Sequence, residues 1–295
     1  LHRPVLAGRI VELFDFEKGV LLDGTVGQGG HAKSILQAHP NLFVVCVDRD
    51  PQALDSAKTR LAMFSDRVIF IKSSFADLEK ICGEAKEKFV GMILDLGLSL
   101  DQLKDSERGF SFQASGPLDM RFDPEQELTA SDIVNSWSAV DLEKIFSKFA
   151  DVREAKKVAA AIISARKIRF IETTGELANI IARVVRSRRI HPATKVFMAL
   201  RIAVNRELEE LGKFLEKFPR FLASGGKVAI VSFHSAEDRL VKRCFVSYAR
   251  EGVTAEEGNL SFKLVFKKPL VPDVKEISEN PRARSAKLRA IERTG

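Results

Sequence analysis

The chain has 295 residues, 45% hydrophobic and 29% charged, which is the balance of a soluble globular protein with one large domain or two. No run of about 18 apolar residues occurs, so a membrane-spanning helix is not expected, and no basic-then-apolar export signal opens the sequence. The net charge of +7 favours a polyanionic partner, while three scattered cysteines without C-x-x-C spacing argue against a disulfide framework or a zinc site. A reducing cytoplasm is the expected compartment.

Residues 5–14 have helical apolar periodicity, and residues 20–22 form a short buried strand that runs into "DGTVGQGGHA". The glycine turn opens a helix over 30–38. "LFVVCVDRD" is a second strand ending in acids, and Pro51 starts a helix over 51–63, where its missing N–H costs nothing. "RVIFIKSSF" and "FVGMILDLGLS" are a third and a fourth strand with a helix between them. Such alternation predicts an α/β fold, a mostly parallel sheet covered by helices. Residues 101–192 lack a convincing strand and carry helical patterns over 130–135, 139–149, 153–168 and 174–188, the pattern of an all-helical insertion. The α/β rhythm then resumes with a long helix over 193–218, the strand "KVAIVSF", a helix over 236–248 and a late strand "FKLVFKK". The basic end is expected to be an extended tail. The expected division is 1–102 and 193–295 for the sheet domain and 103–192 for the insertion.

Charge is unevenly spread. Residues 151–200 hold 11 bases against four acids and residues 279–295 five against two, whereas residues 92–150 hold five bases against eleven acids. A basic face beside an acidic stretch points to nucleic acid. A solvated helix surface is an equal alternative on charge alone. Phosphate contacts are assigned to Arg183, Arg186, Arg188, Arg189, Arg282, Arg284 and Lys287.

The glycine turn formally fits G-x-G-x-x-A (Gly27, Gly29, Ala32), a dinucleotide pattern. S-adenosylmethionine is the other candidate, with its amino-acid end and ribose at the turn. Asp23, at the strand end, suits an ammonium and would repel a pyrophosphate. Asp48, closing the second strand, can take ribose hydroxyls, as nicotinamide enzymes also do. An empty tight turn is disfavoured, since four glycines cost chain entropy without an evident packing return. Ligands of open α/β sheets lie beyond the strand carboxyl ends. Asp95, Ser99 and Gln102 after the fourth strand, and Ser232, His234 and Ser235 after the fifth, therefore belong to the same candidate site.

Nine blocks ("HRPVL", "DGTVGQGGH", "VDRDPQAL", "LDLGLSLDQL", "RGFSF", "GPLDMRFD", "HPATKVFMALRIAVNREL", "VSFHSAEDRLVKR", "ENPRARSAKLRAIER") span residues 2–293 and resemble the bacterial MraW (RsmH) family. The resemblance implies a Rossmann-like class I methyltransferase with an inserted helical domain. It implies S-adenosyl-L-methionine as cofactor and the N4 amine of a cytidine in the decoding region of 16S ribosomal RNA as target, in the small ribosomal subunit. Gly29, Gly30, His31, Asp48, Phe75, Asp95 and Gln102 are the implied cofactor contacts, to which the residue reading adds Asp23. Other amino-methyltransferases carry an Asp/Asn-Pro-Pro-aromatic tetrad after the fourth strand, where this chain has Asp95-Leu96-Gly97-Leu98. The target base is expected between Ser99 and His234, with His234 or Asp95 taking the amine proton. A helix-capping role for His234 is the plain alternative. The loop with Asp119, Arg121 and Asp123 is either a substrate-side wall or an ion-paired anchor. A nicotinamide-dependent oxidoreductase and a non-catalytic RNA-binding protein are the rival classes. No metal cluster is visible in the sequence.

Overall fold

The computed structural model describes residues 4–186, 191–255 and 258–295. The chain divides into two compact units, one of residues 1–97 and 208–295, the other of residues 98–207.

The first unit begins with α1 (Ala7–Leu13), β1 (Gly19–Asp23), α2 (Gly30–Ala38), β2 (Leu42–Asp48) and α3 (Pro51–Arg60). β3 (Val68–Lys72), α4 (Leu78–Ala85) and β4 (Phe89–Asp95) complete its first segment. Pro51 occupies the first turn of α3, and the Asp50 carboxylate accepts from the Gln52 N–H to cap it.

The second unit holds α5 (Leu100–Lys104), α6 (Ala130–Ser136), α7 (Ala139–Ala150), α8 (Ala155–Ile168), α9 (Thr174–Val184) and α10 (Ala193–Asn205). Thr129, Ser138 and Thr173 cap α6, α7 and α9, so the acids expected in first helical turns are those of capped N-termini. The expected single helix over 193–218 is broken. Arg206 adopts a left-handed conformation (φ 51°) and separates α10 from α11 (Glu207–Phe221). The apolar face of α10 (Val196, Phe197, Leu200, Val204) packs into the core of the helical unit. That packing moves the unit boundary from the expected 192/193 to 207/208.

The sheet unit resumes with β5 (Leu222–Ser232), α12 (Ser235–Glu251), β6 (Val253–Ala255), β7 (Gly258–Leu260), β8 (Phe262–Leu264), α13 (Val274–Glu279) and β9 (Lys287–Arg293). The seven-stranded order is β3-β2-β1-β4-β5-β9-β8, with β1 to β5 parallel and β9 antiparallel to both neighbours. Alternate residues face opposite cores: Leu21, Val44, Cys46 and Ile93 pack on one side, Leu22, Val45, Met92 and Leu94 on the other. The basic end is a correction to the expected tail. Leu288, Ala290 and Ile291 are buried, which makes residues 287–293 an interior strand with basic residues interspersed. Among the described residues, no helix is long and apolar enough to cross a membrane.

The order reverses between β1 and β4. From β1 the chain proceeds to β2 and β3, whereas β4 is followed in the sheet by β5 on the other side. A crevice at the carboxyl ends of these two strands is where an open α/β sheet takes its ligand.

Candidate active site

The turn after β1 is built by glycines in left-handed conformations, Gly27 at φ 51° and Gly29 at φ 75°. The glycines also have packing reasons that the sequence did not show. A Cβ on Gly29 would stand 3.2 Å from Leu61, one on Gly30 3.2 Å from Pro4, and one on Gly24 2.5 Å from Leu94. The turn is thus pressed against its own surroundings, and ligand binding is not needed to explain every glycine.

The polar groups argue more directly for a ligand. Asp23 is 1% exposed and His31 6%. His31 Nε2 lies 3.2 Å from Asp95 Oδ2, joining the α2 N-terminus to the end of β4. The Asp23 Oδ1 atom accepts from the Thr25 N–H at 3.3 Å. Four buried side-chain atoms lack a hydrogen-bond partner among the described residues, and three of them are Asp23 Oδ2, His31 Nδ1 and Asp95 Oδ1. Leaving such atoms unpaired costs about 1–3 kcal/mol each, which a folded protein tolerates where a ligand supplies the partner.

Electrostatics add to this. Burial pushes the Asp23 carboxyl up to about 7, against the opposing charge of His31 and the Thr25 N–H. For His31, burial pulls downward, but the bond to Asp95 and the charges of Asp95 and Asp23 outweigh it and hold the imidazole above its ordinary range. A protonated His31 donates from both ring nitrogens. The cluster therefore offers carboxylate oxygens to a cation and an N–H to an anion, the two ends of an amino acid. A pyrophosphate would meet two buried carboxylates. The residues present fit the amino-acid part of S-adenosylmethionine and not a dinucleotide.

Asp48 reaches back across the turn. Its Oδ2 accepts from Gly27 N–H at 2.9 Å and its Oδ1 from Asp50 N–H at 3.0 Å. Burial raises its carboxyl to about 6 in spite of these bonds. The Arg49 N–H also bonds this carboxylate, so three backbone donors hold it at the end of β2. Phe75, half-buried after β3, packs edge-on against Phe214 of α11 with centroids 5.9 Å apart. The preceding Ser74 hydroxyl donates to Glu210, one turn before Phe214. The Thr25 hydroxyl accepts from the Asp95 N–H at 2.6 Å, and like Ser74 and Glu210 it was not legible as a site support, because these contacts join residues distant in sequence.

His234 is placed differently. It is the N-cap of α12: its Nδ1 accepts from the Glu237 N–H at 3.4 Å, and Glu237 Oε2 accepts from the Phe233 and His234 N–H groups. His234 Nε2 sits 3.0 Å from Glu237 Oε1, close enough for an ion pair yet outside hydrogen-bond geometry. The Ser232 hydroxyl donates to the Lys287 carbonyl at 3.4 Å, and Ser235 is exposed.

In the helical unit, Ser99 and Gln102 form a capping box on α5, each side chain accepting from the other's backbone N–H. Arg121 grips Asp119 through Nε and Nη2 at 2.7–3.1 Å and reaches the Gln126 carbonyl, while Asp123 accepts from Glu125 N–H. Within that loop Asp119 and Arg121 are therefore ion-paired. Arg183 and Arg186 are exposed, as are Arg153, Lys156, Lys157 and Lys195. Arg188 and Arg189 lie outside the described residues. Arg282 and Arg284 are exposed in the first unit, whereas Lys287 pairs with Asp238 at 3.1 Å.

The MraW methylase family model matches residues 1–294. A relative from Cyanothece sp., named ribosomal RNA small subunit methyltransferase H, is 45% identical over 99% of this chain and 95% of its own length. One of the same name from Persephonella marina is 44% identical over 99% of both chains. The expected enzyme class, a ribosomal RNA methyltransferase, and the expected cofactor, S-adenosylmethionine, agree with these matches. The chain belongs to the MraW methylase family.

Proposed function

We propose that this protein methylates the N4 amine of a cytidine in 16S ribosomal RNA, in the decoding region that the sequence resemblance implies. Asp23 Oδ2 and His31 Nδ1, buried and unpaired at the β1/β4 reversal, carry the cofactor half of this reading. The exposed bases Arg183 and Arg186, and Arg282 and Arg284, support the RNA half.

When bound, S-adenosylmethionine supplies a methyl carbon activated by a positively charged sulfur. Asp23 Oδ2 is the acceptor for its ammonium, and His31, held by Asp95 and next to the α2 N-terminus, is the donor for its carboxylate. Asp48 takes the ribose hydroxyls and Phe75 covers the adenine. A cytosine amine is a weak nucleophile, since its lone pair is delocalised into the ring. An acceptor on its N–H localises that pair and receives the proton released as the N–C bond forms. Asp95 is that acceptor: His31 fixes its Oδ2, and its Oδ1 is unpaired. His234 Nδ1 is committed to the α12 cap while its Nε2 is unpaired, which makes His234 the rival acceptor, and Ser99 holds the α5 start. The target cytidine has to leave its stack to reach such a site.

The test is transfer of labelled methyl from S-adenosylmethionine to small-subunit RNA, followed by digestion to nucleosides. Label in N4-methylcytidine is the expected outcome; label elsewhere, or in no base, contradicts the reading.

A further inference from the structure

We infer that Thr25 is a positioning residue for cofactor binding, its hydroxyl oxygen serving as the last link between β1 and β4 before they part to form the crevice. β1 and β4 pair in parallel register up to Asp23 and Ile93, and Gly24 N–H continues the ladder to the Ile93 carbonyl at 2.9 Å. The regular next rung would run from the Asp95 N–H to the Gly24 carbonyl. Instead the Asp95 N–H donates to Thr25 Oγ1 at 2.6 Å. Beyond this point the two chains bond away from each other. Val26 N–H donates to the Val47 carbonyl of β2, and Leu96 N–H to the Val231 carbonyl of β5.

A side chain therefore replaces a backbone carbonyl at the place where the sheet divides. Thr25 acts on both acids of the cluster, since its own N–H donates to Asp23 Oδ1. One residue sets the backbone of Asp95 and one oxygen of Asp23, and so directs the unpaired Asp95 Oδ1 and Asp23 Oδ2. A backbone N–H held by a side-chain oxygen lets the strands separate without leaving that donor unsatisfied. Valine has the shape of threonine and lacks the acceptor; cysteine has nearly the size of serine and is a weak one.

This role rests on the reading that the Asp23–His31–Asp95 cluster holds the amino-acid part of S-adenosylmethionine. The experiment measures S-adenosylmethionine Kd by calorimetry for the wild type, Thr25→Val, Thr25→Cys, Thr25→Ser and Asp23→Asn. Ligand-free melting temperature and KM for RNA are read on the same proteins. Thr25→Val and Thr25→Cys should raise Kd about tenfold, as expected for a lost, buried hydrogen bond, with the RNA KM unchanged. Thr25→Ser should return Kd to within about twofold of wild type. Thr25→Cys keeps the test open should the valine variant fail to fold. A wild-type Kd in Thr25→Cys or Thr25→Val beside a weakened Asp23→Asn overturns the role of Thr25 alone. Equal losses in Kd and RNA KM, tracking the melting temperature, overturn it too, in favour of plain folding support. A wild-type Kd in Asp23→Asn overturns the cluster reading and this role with it.

Discussion

β4 and β5 lie side by side in register from Met92–Val228 to Asp95–Val231, and their carboxyl ends are finished to different extents. After β5, His234 Nδ1 and Glu237 Oε2 form a capping box, while His234 Nε2 has no hydrogen-bond partner among the described residues. At the end of β4, Asp95 is bonded through one oxygen and its backbone, while Oδ1 has no partner, and the Asp23 and His31 it joins are likewise incomplete. The β5 group serves the start of α12 and keeps one buried nitrogen open, whereas the β4 group leaves three atoms open at the sheet reversal, where an open α/β sheet takes its ligand. The larger open group is the reason we give the proton-accepting role to Asp95, with His234 as its rival.

The largest effect should come from Asp95→Asn, which keeps the shape and removes the charge. Single-turnover methyl transfer should fall at least about a hundredfold, the ordinary span of a lost general base. A rate within a few-fold of wild type breaks the contrast. Neutralising the basic face is next: Arg183→Gln with Arg186→Gln should lower the dependence of log RNA affinity on log salt by about 1.5, from roughly 0.7–0.9 per phosphate contact. An unchanged slope returns these arginines to a solvated surface. His234→Ala should do least to the chemistry. Loss of the α12 cap should cost about 1 kcal/mol. That corresponds to roughly 2–4 °C in melting temperature for a protein approaching this size, with transfer rates within a few-fold. A hundredfold loss in rate at an unchanged melting temperature would restore His234 as the base.

Much of the sheet was legible, because period and punctuation are local. Apolar runs ending in Asp23, Asp48 and Asp95 mark the carboxyl ends of β1, β2 and β4. The helices of the insertion follow their caps closely: α6, α7 and α9 begin at the capped residues, although α9 ends at Val184 and not 188. What failed depended on partners far along the chain. Nothing near residues 287–293 announces an interior strand, since their neighbours in the sheet are β5 and β8. The break at Arg206 needs a left-handed turn at a residue with no glycine to flag it. Within the site, the acids were readable from their strand ends. Thr25 was not, as its bond to Asp95 spans 70 residues. The capping box of His234 was written in the sequence as H-S-A-E, and the structure shows Nδ1 in that use.

The open cluster also fixes a pH dependence. Burial raises the folded-state carboxyls of Asp23 to about 7 and Asp48 to about 6, above their ordinary 3.8. Between roughly pH 4 and 7 the folded chain thus binds more protons than the unfolded one. Their contribution to ligand-free stability falls as pH rises through that window and is lost above pH 7. Cofactor binding runs the other way, because an ammonium requires ionised Asp23. The most direct measurement is the calorimetric Kd of S-adenosylmethionine from pH 5.5 to 8.5 in wild type and Asp23→Asn. Wild-type affinity should strengthen as Asp23 ionises toward about pH 7 and decline again as His31 gives up its proton, while Asp23→Asn binds more weakly with the rise removed and the decline kept. The same affinity and the same pH profile in both proteins would contradict the assignment of the cluster to the cofactor.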